Sequence, residues 1–344
     1  MNISSNVWDI KPRDFPAKAI NADKISYLLR YAILAPSAHN VQPWQCKIVN
    51  NGAEIHRHPT RALDVSDPTK RQTTISLGAF VCNFVTAASA FGIKSQTDWF
   101  ESGGEGGMVA KVALSGLENA QLEPKRAQDL ENIIGRRVNR TEYSAKKIDR
   151  ATQDSILQLN ADPDLQIHLE ADTNAIDKLA QVVETGTKFA FSNPAFRLEL
   201  SGYVTPNNSS RRDGIPGYTA NLNLISSHFL PWLMKRVDIG SPQASKEGRM
   251  IRNCSHVLTI SSSTDNELAW LNSGFLFEKV ALFLTERGIS ISLSGAAIEP
   301  PLAPNVVQKI IKTDFRPQIL CRLGYSNKLP RHSPRYPVTD ILLK

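Results

Sequence analysis

The sequence predicts an α+β fold built from two tandem half-repeats, and three observations predict it. First, two long helical candidates share a frame. One runs from Ile75-Ser76-Leu77-Gly78 to Phe91-Gly92, the other from Leu271-Asn272-Ser273-Gly274 to Arg287-Gly288. In each, a glycine opens the core-facing stretch and a second follows fourteen residues later (92 minus 78; 288 minus 274). Second, a strand-like run closed by glycine follows each helix: Met108 to Ser115 before Gly116, and Gln318 to Leu323 before Gly324. Third, the halves are complementary. A Pro-Ser-Ala-His-Asn loop occurs only in the first, and Arg136-Arg137-Val138-Asn139-Arg140 opens only the second. One half-site per repeat implies a single composite site between them.

In chain order, Ile25 to Leu34 reads as a helix and Trp44 to Asn50 as a strand. Between them Ala35-Pro36-Ser37-Ala38-His39-Asn40-Val41-Gln42-Pro43-Trp44 forms an ordered loop rich in hydrogen-bonding groups, suited to lie beside a flat ligand. Asp64 to Arg71 is read as the cap of the first long helix, with Asp67 paired to Arg71. Both long helices are apolar around much of their circumference, as befits helices buried at an interface, and Gly92 and Gly288 suit left-handed C-caps. Where a counterpart of the first-half loop should fall, between Ile156-Leu157 and the run Leu165 to Leu169, there is only a short Asn160 to Asp164 turn. Arg211 to Tyr218 is turn-rich, either a surface connection or a lid. Ser290 to Glu299 reads as a strand end followed by the small residues Ser294, Gly295 and Ala296. Pro330 to Pro337 carries Arg331 and Arg335.

Composition narrows the function classes. The 344 residues are 41% apolar and 21% charged, an ordinary globular balance long enough for a sizeable core. A net charge of +7 without a run of five basic residues suggests a surface that attracts anionic small molecules, and no nucleic-acid partner is expected. No continuous apolar run approaches the roughly 18 to 20 residues of a bilayer span, so no membrane partner is expected either. Without the order of a signal peptide at the N-terminus, the expected location is cytoplasmic. Cys46, Cys82, Cys254 and Cys321 form no CxxC pair and are read as buried reduced thiols. His56-Arg57-His58 with Glu54 lacks a third ligand at suitable spacing, so no metal is expected. No GxSxG, HExxH, Walker A or GxGxxG pattern occurs, and no triad or carboxylate dyad is evident.

The Pro36 to Trp44 loop, the Arg136 to Arg140 cluster, the two long helices and the Gly324 to Arg335 tail together resemble the nitroreductase superfamily, most closely its tandem-duplicated Acg-type branch. The likeness covers roughly residues 20 to 338. It implies a nitroreductase-like fold of two repeats, residues 1–130 and 131–344, the second with a lid-like insertion about 205–245. Each repeat would be a mainly antiparallel sheet with helices around the long central helices. Ordinary family members are homodimers with flavin mononucleotide (FMN) at the subunit interface, so the resemblance implies an intramolecular pseudo-dimer with one FMN site. Pro36, Ser37 and Asn40 would meet the flavin from the first half. Arg136, Arg140, Ser294, Gly295, Arg331 and Arg335 would meet it from the second, the small residues allowing close approach to N5 and the guanidinium forks suiting the phosphate. Val138 stands where the family usually has Ser or Thr, a lost hydrogen bond worth roughly 0.5 to 1.5 kcal/mol. The implied activity takes a hydride from NAD(P)H and reduces a nitro or quinone-type small-molecule acceptor, with no catalytic side chain required. The alternative is a flavin-binding or sequestering protein whose FMN is covered and turns over little. The assembly is expected to be a monomer or a homodimer of pseudo-dimers, and Asn40→Ala is expected to weaken FMN binding while leaving the fold intact.

Overall fold

The computed structural model describes residues 6–343. Its first half contains α1 (Asn21–Ala32), β1 (Trp44–Val49), β2 (Gly52–Arg57), α2 (Arg71–Ala90), β3 (Lys94–Gly104), β4 (Met108–Ser115) and α3 (Ala127–Gly135). The second contains α4 (Arg150–Leu157), β5 (Leu165–Glu170), α5 (Thr173–Ser192), α6 (Pro194–Tyr203), β6 (Val204–Thr205), β7 (Ile215–Pro216), α7 (Leu224–Arg236), α8 (Gly240–Arg252), β8 (His256–Ser262), α9 (Glu267–Glu286), β9 (Ser290–Leu293), α10 (Ala303–Ile311) and β10 (Arg316–Gly324). Two four-stranded antiparallel sheets result, in the orders β1-β2-β4-β3 and β5-β8-β10-β9. Taken strand for strand, the orders are the same: β1 corresponds to β5, β2 to β8, β3 to β9 and β4 to β10. What differs is the first connection. A tight hairpin joins β1 to β2, with Val49 opposite Gly52, whereas α5 to α8 and the small parallel pair β6-β7 intervene between β5 and β8.

The matched glycines mark where the repeats meet. A side chain on Gly78 would come within 2.0 Å of the Leu271 carbonyl oxygen, and one on Gly274 within 1.9 Å of the Ile75 carbonyl oxygen. The contact is reciprocal, each helix's glycine lying under the other's backbone, so α2 and α9 cross about a pseudo-two-fold axis. Only a residue without Cβ permits backbones this close. Beyond them, Gly92 (φ +71°) and Gly288 (φ +65°) take the left-handed conformation just past the ends of α2 and α9.

With 20 residues, α2 is long and apolar enough by average composition to cross a membrane, although, as expected from the sequence, it holds no continuous apolar run of that length. Its small polar residues Thr73, Thr74, Ser76 and Asn83 interrupt any continuous run yet are buried along with most of the helix. One core gathers Tyr31, Trp44, Phe80, Phe84 and Phe91, and includes Leu271 and Leu282 from α9. All four cysteines are buried and free.

Two extended segments finish the sheets. Val138 forms a parallel bridge with Ile291, and the Asn139 amide donates to the Ile291 carbonyl at 2.9 Å, so the arginine cluster lies along the β9 edge. After β10 the tail crosses back to the first sheet. There the Cys46 amide donates to the Ile341 carbonyl at 2.8 Å and the Leu343 amide to the Cys46 carbonyl at 2.7 Å, covering the β1 edge. Asp67 does cap the start of α2, its carboxylate accepting from the Gln72 (3.0 Å) and Thr73 (2.8 Å) amides. Arg71, however, turns away from Asp67 to the other repeat, where it pairs with Glu299 and donates to the Gln318 carbonyl at 2.6 Å. A partner across the α2–α9 interface wins over the local one.

Candidate functional site

A cleft opens where the first-half loop, the arginine cluster, the returning tail and the segment after β7 converge. About 570 Å³ of free space lies within it, its open mouth included. The loop leaves α1 and twists sharply: His39, Asn40 and Gln42 all take positive φ (49°, 56° and 55°). Such backbone costs non-glycine residues roughly 1 kcal/mol or more each and survives only where side chains hold it. They do. The Ser37 hydroxyl oxygen accepts from the Gln42 amide at 2.9 Å. Gln42 Nε2 donates to the Arg212 carbonyl at 2.7 Å, and its Oε1 accepts from the Tyr336 amide at 2.8 Å. Asn40 Nδ2 donates to the Gly214 and Pro334 carbonyls, each at 3.0 Å, while its Oδ1 accepts from Arg335 at 2.7 Å. Asn40 therefore ties three distant segments at one point.

The arginine cluster is extended along the cleft, and Arg136, Arg137, Val138 and Arg140 all line it. Asn139 sets the strand by donating to Ser290 Oγ (3.2 Å) and the Lys328 carbonyl (2.8 Å). The tail contributes Arg331, His332, Ser333 and Arg335; the segment after Asp213 contributes Gly214, Ile215 and Thr219. Trp8 closes one side, stacking on His332 with ring centres 3.8 Å apart.

The cleft's charges divide into two kinds. Arg136 and Arg335 are buried and committed. Arg136 donates to the Leu34 carbonyl, and its Nε lies 3.0 Å from the fully buried Glu278 carboxylate of α9. Arg335 donates to the Leu34 (3.3 Å) and Ala35 (3.2 Å) carbonyls as well as to Asn40 and Ser333. Burial, then the positive Arg136, pushes Arg335 down to about 9. Glu278 is shifted upward by burial, against the pull of Arg136.

The second kind is open. Arg140 and Arg331 are solvent-exposed, and neither makes a hydrogen bond or ion pair among the described residues. Arg331 lies over the Tyr218 ring, 4.6 Å from its centre. Arg140 is reached by solvent but crowded by the protein around it, and this desolvation lowers its pKa against the pull of Glu247. Between them Arg137 donates to His332 Nε2 at 2.7 Å, which fixes His332 as neutral with its proton on Nδ1. That buried Nδ1 has no partner. Burial and the neighbouring arginines hold His332 at about 3.

Of the residues singled out in the sequence, the cleft brings together Pro36, Ser37, Asn40, Arg136, Arg140, Arg331 and Arg335. It does not include Ser294 and Gly295. They stand at a short 3-10 turn whose Ala296 carbonyl is packed against Gly186 of α5, part of the helical insertion. Sequence reasoning missed Trp8 and His332, whereas the wall at Gly214 to Thr219 belongs to the turn-rich stretch read there as either a surface connection or a lid. Trp8 carried no signal, since it lies outside every motif; His332 was inside the basic tail but overshadowed by its arginines. Among the described residues no group of three His, Cys, Asp or Glu side chains could hold a metal ion.

A family model described as "Nitroreductase family" matches residues 11–74. A Mycobacterium tuberculosis protein named "Putative NAD(P)H nitroreductase acg" is 22% identical over 335 residues, covering 95% of this chain and 97% of its own. A second protein of that organism, also named an NAD(P)H nitroreductase with the same qualifier, is 22% identical over 309 residues, covering 89% of this chain and 86% of its own. Among solved structures, the FMN-dependent nitroreductase of Mycobacterium smegmatis in complex with NADPH aligns with a TM-score of 0.37 at 15% identity, over 60% of this chain and 94% of that one.

Proposed function

We propose that this chain, a member of the nitroreductase superfamily in its Acg-like branch, binds FMN in the composite cleft and acts as an NAD(P)H oxidoreductase on a nitro or quinone-type acceptor. One observation carries the reading: two uncommitted guanidinium groups, Arg140 and Arg331, flank a cleft walled by both repeats. Such groups fit a phosphate, which accepts forked hydrogen bonds and balances their charge. The unpartnered N–H of His332 adds a neutral donor to the same wall. Pro36 and Ser37 present the first-half edge to the ring; the Ser37 oxygen already accepts from Gln42, and its proton is left to donate to a ligand. Arg136 and Arg335 act at one remove. By clamping the Leu34 and Ala35 carbonyls they fix where the loop begins, and they lend the site positive charge. Bound FMN would supply the redox chemistry, accepting a hydride from NAD(P)H and passing electrons to the acceptor. The lid-like segment, whose Gly214, Ile215 and Thr219 line the cleft, would reduce water access to a bound ring.

That same segment favours a second reading, a sequestering protein with covered flavin. Arg212 and Gly214 are tied to the loop and Tyr218 to the His332 carbonyl at 2.9 Å. Anaerobic mixing of the FMN-loaded protein with NADPH separates the two. Loss of the flavin's visible absorption supports the oxidoreductase, and a flavin that stays oxidised supports sequestration. A protein that takes up no FMN defeats both. Arg140→Ala is expected to weaken FMN binding about tenfold or more, the worth of a charged hydrogen bond of roughly 1.5 kcal/mol upward, without loss of stability.

A further inference from the structure

Helix α7 (Leu224–Arg236) departs from the usual arrangement of a surface helix, with apolar side chains on its solvent side as well as its inner one. Its inward side carries Ser227 and Met234, both buried. On the opposite side Ile225, Phe229 and Trp232 follow the i, i+4, i+7 spacing of a single stripe and are 81%, 55% and 46% exposed. Phe229 and Trp232 pack on each other with ring centres 4.7 Å apart, leaving their outer surfaces in water. Leu224 and Val237 extend the patch at either end. The junction to α8 runs on to α5, where Gly240 packs against Lys188 and Phe191. Exposed apolar surface of this extent and continuity marks a docking face rather than scattered surface residues.

Charge decides what docks there. Helix α7 contains no acidic residue and ends in Lys235 and Arg236, both exposed, with Arg236 lying 4.8 Å from the Trp232 ring centre. Lys188 stands beside Gly240 in the junction after α7, where the Asp238 carboxylate caps the Gly240 amide at 2.7 Å. A second copy of the chain fits poorly. Antiparallel pairing of two α7 helices would set Lys235 and Arg236 against a stretch without a single carboxylate, and parallel pairing would set them against each other. Apolar and aromatic side chains rimmed by cations, on a chain of net charge +7, suit an anionic lipid surface. We propose that α7 is an interfacial helix that seats this protein on anionic bilayers, with Ile225, Phe229 and Trp232 entering the headgroup boundary and Lys235, Arg236 and Lys188 meeting lipid charge. This departs from the sequence expectation of no membrane partner, which considered only spanning segments. Five positions before α7, Thr219 lines the cleft, so a seated helix would hold the cleft's lid-like wall close to lipid.

The test is cosedimentation of the full chain with vesicles of phosphatidylcholine alone or mixed with phosphatidylglycerol. The protein should pellet with the mixed vesicles and release as salt rises. Phe229→Ser with Trp232→Ser should abolish pelleting, while Lys235→Glu with Arg236→Glu should lower it roughly fivefold or more per charge site. Brominated lipid should quench the fluorescence of the wild type but quench Trp232→Phe much less, a readout that holds even if the serine variant misfolds. Wild type that stays in the supernatant with mixed vesicles overturns the proposal. So does light scattering that shows a dimer converted to monomer by the serine pair, which would assign the face to a second copy.

Discussion

Replacing Asn40 with alanine removes one side chain and unties three segments. Its amide donates to Gly214 of the insertion and Pro334 of the tail, and its oxygen accepts from Arg335, all from a residue only 7% exposed. The Arg335 bond is charge-assisted, worth roughly 1.5 to 3 kcal/mol, and the Gly214 carbonyl loses its side-chain donor at a cost of about 1 kcal/mol. Pro334 loses less, since its carbonyl still accepts from Arg335 at 3.0 Å. Alanine also tolerates φ +56° less well than asparagine, adding about 1 kcal/mol. The total is about 3.5 to 5 kcal/mol, so the expectation that Asn40→Ala spares the fold gives way to one in which stability and cleft are lost together. Urea unfolding of wild type, Asn40→Ala and Asn40→Gly measures it. Glycine removes the same hydrogen bonds but accepts the left-handed backbone, so it should sit about 1 kcal/mol above alanine. Limited proteolysis near Arg211 and Arg212 should quicken in both variants as the insertion loosens. An Asn40→Ala protein within about 0.5 kcal/mol of wild type would refute the claim that this residue is the knot.

Two further predictions concern the helix crossing and acid stability. Gly274→Ala would place a methyl 1.9 Å from the Ile75 carbonyl oxygen, a backbone atom that cannot swing away. The helices must separate, so a loss of about 3 kcal/mol or more in urea unfolding is expected, with Gly78→Ala similar and the double change less than additive because both wedge one crossing. His332 is held near 3, below its ordinary 6.5, by burial and by Arg137, Arg335 and Arg136. The unfolded chain therefore takes up the proton first. The stability this residue contributes is complete above about pH 6.5 and is lost as pH falls toward 3, about 1.4 kcal/mol by pH ~5.5. His332→Asn should flatten that part of the pH–stability curve, although His39 and His58, each lowered to about 4 chiefly by burial, keep a residual slope of the same sign. An unchanged slope in the variant would sink the assignment.

How far the sequence revealed this molecule depends on how local each cause is. Gly78 and Gly274 were legible because close backbone approach leaves no other residue type, and the frame they share extends through Gly92 and Gly288. Met108 to Ser115 was legible as a strand because from Ala110 onward its burial alternates residue by residue. The helices of the insertion were less so: Arg211 to Tyr218 announced a turn, but nothing there shows that it is pinned by Asn40 and Gln42, some 170 positions earlier. In the cleft, Pro36, Ser37 and the arginines stood out by type and clustering. Which arginines are free did not. Arg136 is spent on Leu34 and Glu278, while Arg140, four residues along, makes no hydrogen bond or ion pair among the described residues and feels Glu247 only at a distance, because the outcome depends on a carboxylate from α9. Ser294 and Gly295 misled for a related reason. Small residues permit close approach to whatever packs there, and here the neighbour is α5.

The reciprocal contact of Gly78 and Gly274 has a consequence beyond packing. In a two-chain assembly a crossing of this kind would form and dissolve with protein concentration, and every substitution near the axis would be made twice. Here residues 136 to 149 join α3 to α4, so each half meets the other at an effective concentration that dilution leaves unchanged. The positions near the axis are also released from having to match themselves. Cys82 and Glu278 are each four residues past the matched glycine, yet one is a thiol and the other a carboxylate facing Arg136. A self-paired chain could carry only one residue type at both places.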